Sequence, residues 1–231
     1  MAKKGKKVEH HDMLETPEAL AEQISRSEQF IEKHQTLMLA VLGVVALIVA
    51  GGFLYKYYMS NQNELAQDEM FQAVYYFEQD SLDLALRGDG NRYGFLDIIE
   101  EYGATKTGNL ANFYAGACYM RKGNYSSAIP FLKDFSSNDI LLQSRAYSLL
   151  GDANMEGDDY SVAAKYYDQA AAFKPNKEFT PAYLMKAALA YQLNGQKDKA
   201  IEQYNKIIDD YQNTPEYNSA RKFKALIENQ S

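Results

Sequence analysis

The sequence predicts an all-α protein: one N-terminal helix that crosses a membrane, followed by a solenoid of stacked helical hairpins. Three observations predict it. Thr36 to Tyr55, TLMLAVLGVVALIVAGGFLY, runs for twenty residues without a charge. From Gly94 onward, small residues recur at intervals of 34, 35 and 37 residues, at Ala128, Ala163 and Ala200. Single glycines, Gly123, Gly157 and Gly195, break the chain between helical patterns where each hairpin needs a turn.

The uncharged run comes first. A helix rises about 1.5 Å per residue, so twenty residues span roughly 30 Å, the thickness of a bilayer's hydrocarbon core. A helix also satisfies its own backbone hydrogen bonds, which lipid requires. Lys33 and His34 precede the run, and Phe53, Tyr55, Lys56, Tyr57 and Tyr58 close it. Aromatic rings and a snorkelling lysine suit the headgroup region. A soluble core helix of this length would carry a polar face. A cleaved signal would start nearer the N-terminus and end in small residues rather than aromatics.

The span separates an arm, residues 1–35, from a larger domain, residues 56–231. Lys3, Lys4, Lys6, Lys7, Arg26 and Lys33 lie in the arm; beyond the span Lys56 stands alone until Arg87. The positive-inside rule then places the arm in the cytoplasm and the domain across the membrane, in the periplasm of a Gram-negative cell. The expected location is therefore the bacterial inner membrane.

Within the arm, residues 1–15 are polar and read as a solvated tail, His10, His11 and Asp12 included. Thr16 suits a helix cap, Pro17 the first turn and Glu18 the helix dipole. Leu20, Ile24 and Ile31 share a face, which makes this a short amphipathic helix, either on the membrane surface or simply leading into the span.

After the span, Asn61 to Phe77 reads as a helix with an apolar stripe through Met70, Phe71, Val74 and Phe77. Ser81 to Leu86 is a short helix. Gly88-Asp89-Gly90-Asn91 is a turn, since it lacks the spacing and terminal glutamate of a calcium loop. Second helices are expected in YGFLDIIEEY, SSAIPFLKDF, SVAAKYYDQA and KAIEQYNKII, and first helices in LANFYAGACYMRK, RAYSLLGDANME and PAYLMKAALAYQL. The divisions are a divergent helical segment and first repeat at 56–108, three repeats at 109–214 and a C-terminal capping helix at 215–231.

The pattern resembles the tetratricopeptide repeat, a helix–turn–helix unit of about 34 residues. Its first part appears as Tyr147-x2-Leu150-Gly151, Ala115-Gly116-x2-Tyr119 and Leu184-x2-Ala187-Ala188-x2-Tyr191. Its second appears as Ala128-x3-Leu132, Ala163-x3-Tyr167 and Ala200-x3-Tyr204, with Pro175 at the terminal proline. Asn154 departs from the usual tyrosine, and about three extra residues precede the third repeat near Lys177–Thr180. The resemblance implies a stack in which first helices line a concave face that holds a protein partner. Projected onto the repeat, that face takes Phe113, Met120, Arg121, Arg145, Asp152, Met155, Glu156, Met185 and Gln192. Methionines among them suit varied apolar ligands.

Composition narrows the chemistry. The formal charge is −7, about −6 of it beyond the span, which disfavours nucleic acid as partner. No histidine follows His34, so a Ser–His–Asp or Cys–His nucleophile is not expected in the large domain. Cys118, the single cysteine, reads as core, and no intrachain disulfide is possible. Glu100-Glu101, Asp158-Asp159 and Asp209-Asp210 are sequence neighbours, which diverge on a helix. No cofactor, metal or small-molecule substrate is expected, and the chain reads as a non-enzyme.

The order of basic arm, span and acidic repeat domain is similar to the family of membrane-anchored tetratricopeptide-type proteins that includes the ancillary subunit of the SecYEG translocon. The resemblance implies protein partners: translocon subunits, exported polypeptides or periplasmic chaperones. Two alternatives are a scaffold of an envelope complex for division, secretion or motility, and a carboxylate-dependent envelope enzyme.

Overall fold

The computed structural model describes residues 17–229, so the Thr16 cap and the His10–His11–Asp12 cluster lie outside the described residues. Among the described residues there are ten helices and no strand. The chain divides into two compact units, Met1–Tyr58 and Met59–Ser231.

Helix α1, Pro17–Glu78, runs through what the sequence suggested were three separate segments. Nothing inside it forces a break. It contains no proline after Pro17, and Gly51-Gly52 weakens a helix by only about 1 kcal/mol per glycine. Every side chain from 36 to 55 is exposed. By length and composition, α1 holds one stretch able to cross a membrane.

The second unit begins with the last turns of α1 and continues through α2 (Leu82–Arg87), α3 (Phe95–Tyr102) and α4 (Lys106–Arg121). Ala66, Met70 and Ala73 of α1 are buried with Ala85, Leu86, Phe95, Ile98, Ala111, Ala115 and Cys118. Of the expected apolar stripe, Met70, Val74 and Phe77 pack into this core, joined by the buried Ala66 and Ala73, whereas Phe71 is 77% exposed on another face.

Gly94 also differs in role. It is the N-cap of α3, and its N–H donates to Asp97 at 3.0 Å. A Cβ there would lie 2.4 Å from the Leu86 carbonyl oxygen and the Gly88 nitrogen. Its smallness serves a backbone crossing, not a helix crossing, so it is out of register with Ala128, Ala163 and Ala200. The fourth residue of α3 is Ile98.

Three hairpins follow: α4 with α5 (Tyr125–Asp134), α6 (Ile140–Glu156) with α7 (Tyr160–Ala172), and α8 (Thr180–Leu193) with α9 (Lys197–Asp210). Helix α10, Glu216–Glu228, completes the stack. Caps explain the starts of two first helices. The Thr105 hydroxyl accepts from Gly108 N at 2.9 Å, and Asp139 accepts from Leu141 N and Leu142 N at 2.8 and 3.0 Å. The extra residues before α8 form a turn in which Asn176 Oδ1 accepts from Glu178 N and Phe179 N.

Each hairpin turn closes with a residue in the left-handed region, φ 71° at Gly123 and 73° at Gly195. In the middle hairpin that residue is Asp158, φ 60°, and not the expected Gly157, φ −92°. The left-handed position lies two residues before the next helix, one place after Gly157.

Small residues let the paired helices approach. A Cβ on Gly116 would stand 2.5 Å from Leu132, and one on Gly151 would stand 2.4 Å from the Tyr167 ring. Asn154, the departure from tyrosine, is buried and donates its amide to the Leu150 carbonyl at 2.6 Å.

Candidate protein-interaction cleft

The first helices of the hairpins lie side by side, with α4 touching α6 and α8 touching α10. Between α8 and α10 they leave an open cleft of about 390 Å³. Met185, Lys186, Leu189 and Gln192 form one wall, Phe223 and Leu226 the other, and Tyr204 the floor. The Tyr204 and Phe223 rings stack at 6.2 Å. Ala220 and Ile227 turn to the core, while Leu189, Leu193, Phe223 and Leu226 remain 40–50% exposed. Helix α10 thus has two apolar faces and only one is covered.

Beside the cleft an ion pair ties α6 to α8. Lys186 Nζ donates to the Asp152 carboxylate at 2.8 and 3.0 Å and to Ser148 Oγ at 3.2 Å. The Tyr167 hydroxyl donates to Asp152 at 2.6 Å, and the Lys186 ammonium lies 5.5 Å above that ring. Burial and the neighbouring carboxylate push the Tyr167 hydroxyl well above its ordinary range, so it stays a donor. A second lock joins α7 to α8: Tyr191 donates to Asp168 at 2.5 Å, and burial raises the Asp168 carboxyl.

The nine residues projected onto the partner face separate into groups. Met185 and Gln192 line the cleft. Arg145 and Glu156 are exposed on α6. Asp152 is held by Lys186 and Tyr167. Met155 and Met120 are half-buried against core clusters, and Phe113 packs on Phe135 with ring centres 5.3 Å apart. Arg121 stacks 3.9 Å above Phe77 and donates to its carbonyl at 3.0 Å, which fastens α4 to α1. Leu189, Phe223 and Leu226 were missed. For the α10 pair the signal was helical spacing, since Phe223 and Leu226 sit beside the buried Ala220 and Ile227; for Leu189 it was the position four residues after Met185 on α8.

Cys118 is fully buried and its thiol is pushed up to about 12 by burial, so it packs as core. Among the described residues no group of His, Cys, Asp or Glu is placed to hold a metal.

Residues 144–177 and 182–214 match family models of the tetratricopeptide repeat, covering α6–α7 and α8–α9. The cleft lies at the end of the second match. The chain is also similar to two solved structures of MamA. One is 24% identical over 72% of this chain and 82% of the other, with a TM-score of 0.53, which marks a shared fold. The second is 27% identical over 59% and 78%, with a TM-score of 0.44. No curated protein matches the chain. An α-solenoid carrying tetratricopeptide repeats is an interaction scaffold for other proteins.

Proposed function

We propose that this chain is a membrane-anchored docking protein, with residues 36–55 as its single span, the arm in the cytoplasm and the repeat domain on the periplasmic side of a bacterial inner membrane. The observation that carries the binding role is the uncovered apolar cleft at the end of the tetratricopeptide stack. The anchor rests on the length and composition of α1, and the orientation on the lysines of the arm. Tethering a weak binding face to the membrane raises its effective concentration for partners at that surface.

The finer reading is an accessory, chaperone-like factor of the Sec translocon that meets exported chains as they emerge. It is supported by the similarity of the arm–span–acidic repeat order to the translocon's ancillary subunit family. Photo-crosslinkers at the exposed Arg145 and Gln192 test it in native membranes. Translocon subunits together with many exported proteins are the expected adducts. A single envelope protein, with no translocon subunit, would replace this reading with that of a dedicated scaffold.

A further inference from the structure

We infer that the α8–α10 cleft takes a short amphipathic segment of a partner protein that carries acidic residues beside its apolar face. The inference rests on the protein-binding reading above and specifies the partner's chemistry.

Size excludes a second copy of the chain as occupant of this cleft alone. Four side chains, each about half exposed, offer roughly 300 Å², well short of the ~800 Å² per partner of a stable interface. A short segment fits better. Met185, Leu189 and Gln192 are spaced i, i+4, i+7 along α8, a wall of about 10 Å at 1.5 Å per residue, or two turns of a docked helix.

Charge then selects among segments. The chain carries −7, yet no carboxylate lines the cleft. Lys186 is spent on Asp152 and Ser148 and leaves little field. The open charge is on α10: Lys222 is exposed and four residues before Leu226, hence on the same side of the helix. Two acids lie six residues from Lys222: Glu228 is engaged by Lys224 at 3.7 Å, and Glu216 opens α10 about 10 Å along the axis from Phe223, outside the cleft lining. An acidic segment is repelled by most of this surface and tolerated here, whereas a basic one is drawn elsewhere.

The test uses the full-length protein in phosphatidylcholine nanodiscs and fluorescence anisotropy of three labelled peptides, with empty discs as control. One peptide has leucines at i, i+4 and i+7 among glutamates, the second has lysines in place of the glutamates, and the third has serines in place of the leucines. The glutamate–leucine peptide is expected to bind several-fold more tightly than the lysine version, and the serine version not at all. Lys222→Glu should narrow or reverse the charge preference without moving the melting temperature. Leu226→Asp and, independently, Leu189→Asp should each abolish binding. Equal binding of the acidic and basic peptides, or acidic binding that survives both leucine variants, overturns the inference. If crosslinking at Gln192 still captures protein partners in that case, the docking role stands and only the partner's chemistry falls.

Discussion

The first helical unit and the later hairpins solve one packing problem in opposite ways. In α5, α7 and α9 the fourth residue is a fully buried alanine, Ala128, Ala163 or Ala200, and the bulk comes four residues later at Leu132, Tyr167 or Tyr204. In α3 the fourth residue is Ile98, also fully buried, and the small residues of its cluster come from other helices: Ala73 on α1, Ala85 on α2, Ala111 and Ala115 on α4. Close packing needs one small partner at a crossing and is indifferent to which helix supplies it. A repeat recognised by its small residues is visible only where the second helix supplies them.

Exchanging the two solutions should break both. Ile98→Ala removes bulk with nothing to refill it and is expected to cost about 2–4 kcal/mol. Ala163→Ile puts that bulk where Tyr167 already fills the space and is expected to cost about 1–3 kcal/mol. Urea unfolding of the full-length protein in detergent measures the sizes. Hydrogen exchange should localise the first loss to residues 59–118 and the second to 144–211. Equal, unlocalised losses would mean that the stack is one cooperative body and the contrast has no energetic meaning.

The shortest of the three later second helices sharpens the contrast. Helix α5 has ten residues where α7 has thirteen and α9 has fourteen, and Pro130 is its sixth. A proline there has no N–H for the Ser126 carbonyl and crowds it as well. Pro130 is exposed, so no packing compensates. Pro130→Ala is expected to stabilise by about 1–3 kcal/mol, seen as a higher urea midpoint and slower exchange in α5.

These contrasts mark what was legible in the sequence. Hairpins α6–α7 and α8–α9 were legible because the signature residues and the packing coincide. Gly151 faces Tyr167, and Leu184 and Tyr191 are core. Gly94 misled because a glycine's reason for being small is not written beside it: a crossing of backbones and a crossing of helices ask for the same residue. Asp158 was hidden by its neighbour, since Gly157 is the expected turn residue and sits one place early. At the candidate site, Met185 and Gln192 followed from the repeat register. The α10 wall did not, because the repeat register that placed the partner face ends before α10, and Phe223 and Leu226 lie beyond it.

The turns allow a smaller test. Gly123, Asp158 and Gly195 occupy one position in three hairpins, and only Asp158 pays the steric cost of a Cβ at positive φ. Asp158→Gly loses the hydrogen bond that its carboxylate accepts from the Tyr160 hydroxyl, but relieves the backbone. The expected net gain is about 0.5–1 kcal/mol. Gly123→Ala and Gly195→Ala should each lose about as much. A loss on Asp158→Gly as large as that of the alanine variants would assign the turn's stability to the side-chain bond.

The smallest effect separates the two locks on α8 by pH. Asp152 faces a cation, Lys186, whereas Asp168 is half-buried and meets the Tyr191 hydroxyl. Burial raises the Asp168 carboxyl above its unfolded value, so between the two values the folded state binds more protons than the unfolded one. Stability from this group therefore rises as pH falls through the folded value towards the ordinary aspartate range near 3.9. Asp168→Asn removes that slope: it should be as stable as or more stable than the parent at pH 7, and lose its advantage as pH drops towards 4. Asp152→Asn removes the partner of Lys186 and should be destabilising at pH 7 instead. Melting temperatures of the parent and both variants from pH 7 to 4 decide the matter. If the curve for Asp168→Asn runs parallel to the parent's, Asp168 titrates alike in the folded and unfolded chains and its bond to Tyr191 offsets its burial.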